Sequence, residues 1–208
     1  MNQRYEILDG LPTYGEMAIP IVDEDDIFVS EGYVVKFYKD DGSTWIANFP
    51  KGFNNFSCVK ELKNSNNLLV VSGGEGYLMN PNYPEPIKDF YYSIEEIIKR
   101  DDNGFVLATL TDIIFLNEYA EQEWRQNISW DGIKDLQIKG NLLSGYCYDI
   151  FLNDENRNDF WIKFTLNMDT KEFKGGCSKL EDFKERKPWY RYIWVGGFIL
   201  LLYYQLSR

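Results

Sequence analysis

The sequence predicts an all-β domain of repeated four-stranded antiparallel blades, a small β-propeller-like body followed by a C-terminal apolar helix. Three observations lead there. Residues 67–81 (NLLVVSGGEGYLMNP) run from an apolar strand through a glycine turn into a second strand. The same outline returns from Asp25 (DDIFVSEGYVVKFYKDDG), Asn103 (NGFVLATLTDIIFLN) and Gly140 (GNLLSGYCYDIFLND). Unit starts at Ala18, Cys58, Ile94 and Ile133 lie 40, 36 and 39 residues apart, a period that suits WD40-like repeats of one blade each.

A short strand is predicted at 5–8, ended by Asp9-Gly10 and a turn-rich link at 11–15. The first unit then offers strands at 17–22, 27–30, 33–38 and 44–49, with alternation clearest in Val35 and Phe37 against Lys36 and Tyr38. The second unit offers 57–62, 68–72, 76–79 and 87–91. The third offers 94–99, 105–109, 113–117 and 121–126, and the fourth 133–138, 142–148, 160–166 and 172–174. Residues 93–100 (SIEEIIKR) have a helical look but hold the place of a first strand, and strand is expected. Four blades are the lower limit of the propeller range, so a closed ring, with the N-terminal strand completing the last sheet, competes with an open row of meanders.

Composition narrows the chemistry. The chain of 208 residues has a formal charge of −11 and contains no histidine, which removes Ser-His-Asp and Cys-His catalysis and the usual zinc triads. Cys58, Cys147 and Cys177 are widely spaced and odd in number, so reduced thiols are expected, without a disulfide framework or metal knuckle. Residues 179–208 hold six Lys/Arg against three Asp/Glu, leaving 16 basic and 30 acidic groups in the rest. Such a body repels phosphate backbones and attracts basic proteins, so no nucleic acid is expected as partner. The N-terminus shows no signal peptide, and a cytoplasmic location is expected.

The character changes after the body. Residues 1–178 are the acidic domain, 179–191 a charged linker, and 192–207 a candidate transmembrane or docking helix. From Tyr192 to Ser207 there are 16 uncharged residues, about 24 Å of helix against a hydrocarbon core of roughly 30 Å. Trp189, Tyr192 and Trp194 crowd one end, Tyr203 and Tyr204 the other, around Phe198, Ile199, Leu200, Leu201 and Leu202; paired aromatic belts look like this. The basic residues before the segment would hold the body at the inner face of the cytoplasmic membrane.

Four stretches are candidate sites. The glycine loop 72–76 continues into strand where a phosphate cradle needs a helix, so it reads as a turn. Residues 154–159 alternate oxygen ligands but lack the glycine and closing glutamate of a calcium loop, so neither metal nor cofactor is expected. Asp23, Glu24, Asp25 and Asp26 form an acidic run suited to a basic partner. Trp130 and Asp131 stand in the most distinctive loop, 128–132 (ISWDG), as a plug between blades or as partner contacts.

Gly10-Leu11-Pro12, Tyr14-Gly15, Ser30-Glu31-Gly32, the run from Gly76 to Pro81, ISWDG and Asp169-Thr170-Lys171 together resemble a group of uncharacterised bacterial β-propeller-like proteins. The likeness spans about residues 5–177, and some members look like immunity partners of bacterial toxins. The resemblance implies a propeller-like fold without an assigned activity. The reading is therefore a non-catalytic interaction module for a basic partner, tethered by its tail. The alternatives are an enzyme using paired carboxylates on a sugar or other polar small molecule, and a membrane-peripheral scaffold. The tail is testable alone: the full chain should resist alkaline extraction from membranes, whereas a version ending at Ser178 should be released. Release of both would remove the anchor.

Overall fold

The computed structural model describes residues 3–22, 30–90, 92–149 and 160–177, and these hold sixteen strands in four four-stranded sheets. The first sheet contains β1 (Tyr5–Leu8), β2 (Ile19–Pro20), β3 (Tyr33–Tyr38) and β4 (Thr44–Phe49). The second contains β5 (Cys58–Glu61), β6 (Leu68–Ser72), β7 (Glu75–Met79) and β8 (Lys88–Phe90). In the third are β9 (Ile94–Lys99), β10 (Phe105–Thr109), β11 (Asp112–Leu116) and β12 (Gln122–Asn127). The fourth has β13 (Ile133–Lys139), β14 (Leu142–Tyr148), β15 (Trp161–Asn167) and β16 (Phe173–Gly175). Within 93–100 a strand forms over Ile94–Lys99, as its place in the repeat required.

Sheets two to four are antiparallel meanders in chain order, because tight turns join consecutive strands. Ser72 pairs with Glu75 across Gly73 and Gly74, whose φ values are 54° and 86°. Two positive φ angles make the turn that matches strand twist. Backbone crowding adds a second reason for glycine, since a Cβ on Gly73 would lie 2.3 Å from the Gly52 nitrogen.

The first sheet departs from expectation. Its N-terminal strand does not complete the last sheet; β1 pairs antiparallel with β3, Tyr5 opposite Phe37 and Leu8 opposite Val34. Contacts with the second sheet select this place. Tyr5 packs on the core between the first two sheets, and Arg4 reaches Glu61 at 3.2 Å and the Ser65 carbonyl at 3.3 Å. The expected strand 17–22 shrinks to β2, which lies parallel to β4 at the edge of the sheet. Pro20 has no N–H to offer a further neighbour, so an edge is where it fits. Residues 27–29 of another expected strand lie outside the described residues.

Three apolar cores bind the sheets in sequence. Val35, Phe37, Trp45 and Phe49 of the first sheet meet Leu68, Val70 and Met79 of the second. Leu69, Val71 and Leu78 on the other face of that sheet meet Ile94, Leu107 and Ile114 of the third. Val106, Ile113 and Phe115 then meet Leu143, Cys147 and Phe164 of the fourth. Every residue of β6, β10 and β11 is buried, because alternate side chains serve two different cores. That is why these strands read as continuous apolar runs rather than as alternation.

In β14 burial alternates, with Leu143 and Cys147 inside and Leu142 and Tyr146 exposed. The outward face of the fourth sheet carries exposed Lys134, Lys139, Lys163 and Lys174 by register, and Lys134 Nζ lies 3.9 Å from the centre of the Trp161 ring. Among the described residues no apolar cluster joins the fourth sheet to the first.

Leu69→Ala should lower stability to urea by about 2–5 kcal/mol, because a fully buried side chain leaves a cavity between two sheets. Leu142→Ala on the outward face should change it by less than about 0.5 kcal/mol.

Candidate functional site

The first strands of the third and fourth sheets, β9 and β13, lie side by side, and residues 128–132 cross from one sheet to the other. Backbone hydrogen bonds fix this crossing on both sides. The Ile128 and Ser129 N–H groups donate to the Thr111 carbonyl at 2.9 and 3.2 Å, and Gly132 N–H to Leu110 at 2.7 Å. On the other side Trp130 N–H donates to the Tyr148 carbonyl at 3.3 Å, and Tyr148 N–H to Gly132 at 2.9 Å. The buried Ser129 hydroxyl closes the loop by donating to the Gly132 carbonyl at 2.6 Å. Ser129 and the backbone thus plug the seam, while Trp130 is half-buried and Asp131 is exposed at the crest.

The turn that receives the loop is itself braced. The Thr109 hydroxyl accepts the Asp112 N–H at 2.9 Å, and Asp112 Oδ2 takes the Thr111 hydroxyl at 2.7 Å and Arg125 Nη2 at 3.0 Å. Burial pushes the Asp112 carboxyl up, but hydrogen bonds from Arg125 and Thr111 outweigh it and hold the group below the ordinary value of 3.8. Arg125 also stacks its guanidinium over the Tyr92 ring at 5.4 Å.

A bulge gathers further carboxylates at the seam. Asp135 adopts φ 57°, and the pairing of β13 with β14 slips between Lys134 and Gln137. Leu136 N–H is thereby freed from β14 and donates to Glu96 Oε2 on β9 at 3.2 Å. Burial raises the Glu96 carboxyl, the Leu136 N–H offsets part of this, and Asp135 raises it again. Glu95, its neighbour, is raised by burial and then by the charge of Asp131. Among the described residues neither Glu95 nor Asp131 forms an ion pair. The seam therefore presents Glu95, Glu96, Asp131 and Asp135 beside Trp130, an arrangement able to receive a cationic side chain.

Of the residues singled out by sequence, Trp130 and Asp131 stand at this seam. Asp23, Glu24, Asp25 and Asp26 lie outside the described residues, as do 154–159 and the tail from residue 178 onward. Glu95, Glu96 and Asp135 were not anticipated; the one available signal is the Glu-Glu pair interrupting an apolar strand. Among the described residues no cluster has the composition of a metal site, and no helix is long and apolar enough to cross a membrane.

No family model and no curated relative matches the chain. Among solved structures, the WD40 domain of Neurospora crassa Pan2 aligns with TM-score 0.42 and 12% identity, over 72% of this chain and 50% of that one. A protein of unknown function from Bacteroides caccae aligns with TM-score 0.36 and 14% identity, over 69% and 54%. The chain thus spans about half the length of these structures.

A depressed carboxyl stabilises the fold above its unfolded value and loses that effect as pH falls through its folded value. Asp112→Asn should therefore destabilise the protein at pH 7. The gap to the native chain should close as the pH falls below 3.8, read from unfolding midpoints across pH.

Proposed function

We propose that the domain is a non-catalytic protein-interaction module whose acidic seam receives a basic segment of a partner protein. The supporting observation is the approach of Asp131 to part-buried Glu95, whose charge burial and then Asp131 disfavour, with neither carboxylate in an ion pair among the described residues; a lysine or arginine placed beside them would relieve Glu95. Trp130 adds apolar contact area beside the charges, as interface aromatics do. Asp23, Glu24, Asp25 and Asp26 belong to the same reading as a second acidic contact. An immunity-type role, neutralising a basic toxin, is its specific form. Tethering by residues 192–207 would hold the module at the inner face of the cytoplasmic membrane.

A second reading has one observation in its favour. A carboxyl raised by burial with a second carboxylic side chain nearby is what general acid catalysis on a sugar requires, and Glu95, near Asp131, is raised in that way.

The test is titration of a fluorescent lysine-rich peptide into the full chain at low and at physiological salt. The native chain should bind more tightly at low salt, and a Glu95→Gln, Asp131→Asn variant should lose about threefold to tenfold in affinity. Equal affinity of variant and native chain would remove the seam from the account. Turnover of a glycoside panel by the native chain, abolished in the variant, would favour the enzyme.

A further inference from the structure

Cys147 and Cys177 are thirty positions apart in the chain, yet both pack in the core between the third and fourth sheets. Cys147 on β14 is fully buried, and Cys177, two residues beyond β16, packs half-buried against the same cluster. The two thiols share that cluster and lie close enough for each to shift the other's titration. Cys177 Sγ also lies 3.1 Å from the Tyr148 carbonyl, next to Cys147 in the chain, and 3.9 Å from the Ser129 hydroxyl. All three cysteines are free thiols.

Sheet pairing alone would keep these sulfurs apart. Gly175 pairs with Phe164, and Gly176 N–H donates to the Lys163 carbonyl at 3.2 Å. A straight continuation would set residue 177 beside Ile162, the partner of Cys147 on the intervening strand. Two strand spacings, about 10 Å, would then separate the cysteines. Instead Gly175 and Gly176 adopt φ values of 76° and 84° and turn the chain out of the sheet plane. Side chains are barred at both: a Cβ would lie 2.4 Å from the Lys163 carbonyl at Gly175 and 2.5 Å from the Phe173 ring at Gly176. A Cβ at Gly176 would also lie 3.7 Å from Cys147 Sγ, so the glycine pair brings the chain back over Cys147.

We infer that Cys147 and Cys177 form a reversible two-electron redox site, which closes to a disulfide and fastens residue 177 to β14. Cys177 is the thiol that reacts first. It is the more accessible of the two, and the neighbouring Cys147 and Ser129 side chains hold it below the ordinary thiol value, while Cys177 and burial push Cys147 up. With hydrogen peroxide as oxidant, the Cys177 thiolate attacks one oxygen and the O–O bond breaks; a sulfenic acid forms, and the hydroxide that leaves takes up the proton given off by the Cys177 thiol as one water. Cys147 sulfur then attacks Cys177 sulfur, the S–O bond breaks, and the departing hydroxide takes the Cys147 proton as a second water. Two thiols lose two hydrogens and the peroxide is reduced to two waters. A dithiol reductant reverses the bond by exchange, as befits a compartment that keeps structural thiols reduced. Cys58 packs against the core between the second and third sheets, and burial raises its thiol; it serves as internal control.

The reduced full chain, folded, is pulsed with hydrogen peroxide, quenched with an alkylating agent, and read by intact mass and non-reducing peptide mapping. The native chain and Cys58→Ser should each lose two hydrogens, yield a peptide linked through 147 and 177, and recover on treatment with dithiothreitol. Linking should be at least about tenfold faster in the folded chain than in urea at equal thiolate fraction, because the fold brings the sulfurs together. Cys177→Ser, at the half-exposed position, should form no link. Oxidation of Cys58 ahead of the pair, absence of the linked peptide in folded protein, or equal rates in folded and unfolded chains would each overturn the inference.

Discussion

The structure depends on one constraint: the middle strands of an internal sheet must bury both faces at once. In β6, Leu69 and Val71 serve one core, while Leu68 and Val70 serve the other. In β10 and β11 the same division separates Leu107 and Ile114 from Val106, Ile113 and Phe115. Neither internal sheet can satisfy its apolar side chains without a sheet on each side, so packing runs from neighbour to neighbour as in other repeat architectures. The outward face of the fourth sheet, carrying lysines and exposed Leu142 and Tyr146, has no such demand.

Apolar packing sets the spacing of the sheets, and hydrogen bonds at the turns set their registration. The device occurs twice. Ile94 N–H, at the start of the third sheet, donates to Gly74 in the central turn of the second at 2.8 Å, and Asn54 Nδ2 donates to the Ile94 carbonyl at 2.9 Å. Gly132 N–H, at the start of the fourth, donates to Leu110 in the central turn of the third at 2.7 Å. A central turn thus accepts the first strand of the next sheet in both cases. Because the crossing segment must dock, its crest is held in a defined position, and Asp131 comes within electrostatic reach of Glu95. The acidic seam is a by-product of how consecutive sheets are registered.

Much of the fold was legible in the sequence wherever the determinants are local. The strands of the second to fourth sheets follow apolar runs and turn residues such as Gly73-Gly74 and Gly140, and β6, β10 and β14 coincide with their expected bounds. In the first sheet β1, β3 and β4 also keep their expected bounds, but the pairing of β1 with β3 and the parallel placement of a short β2 were missed because they rest on contacts with residues far along the chain, Glu61 and Ala47 among them. The site was legible only in part. Trp130 and Asp131 announce themselves in a distinctive loop, whereas Glu96 and Asp135 meet through a bulge that alternation does not signal. The approach of Cys177 to Cys147 was hidden for a related reason: two glycines past a strand end read as a stop, and the direction they impart appears only in three dimensions.

The central claim is that stability resides in consecutive two-faced packing, which falls off where only one face is covered. Native-state hydrogen exchange of the full chain tests it most directly, because it reports the free energy of opening strand by strand. Amides of β6, β7, β10 and β11 should exchange slowest and together, through global unfolding, while those of β14 and β15 should open at lower free energy. Protection in the fourth sheet equal to or above that of the second and third would contradict the account.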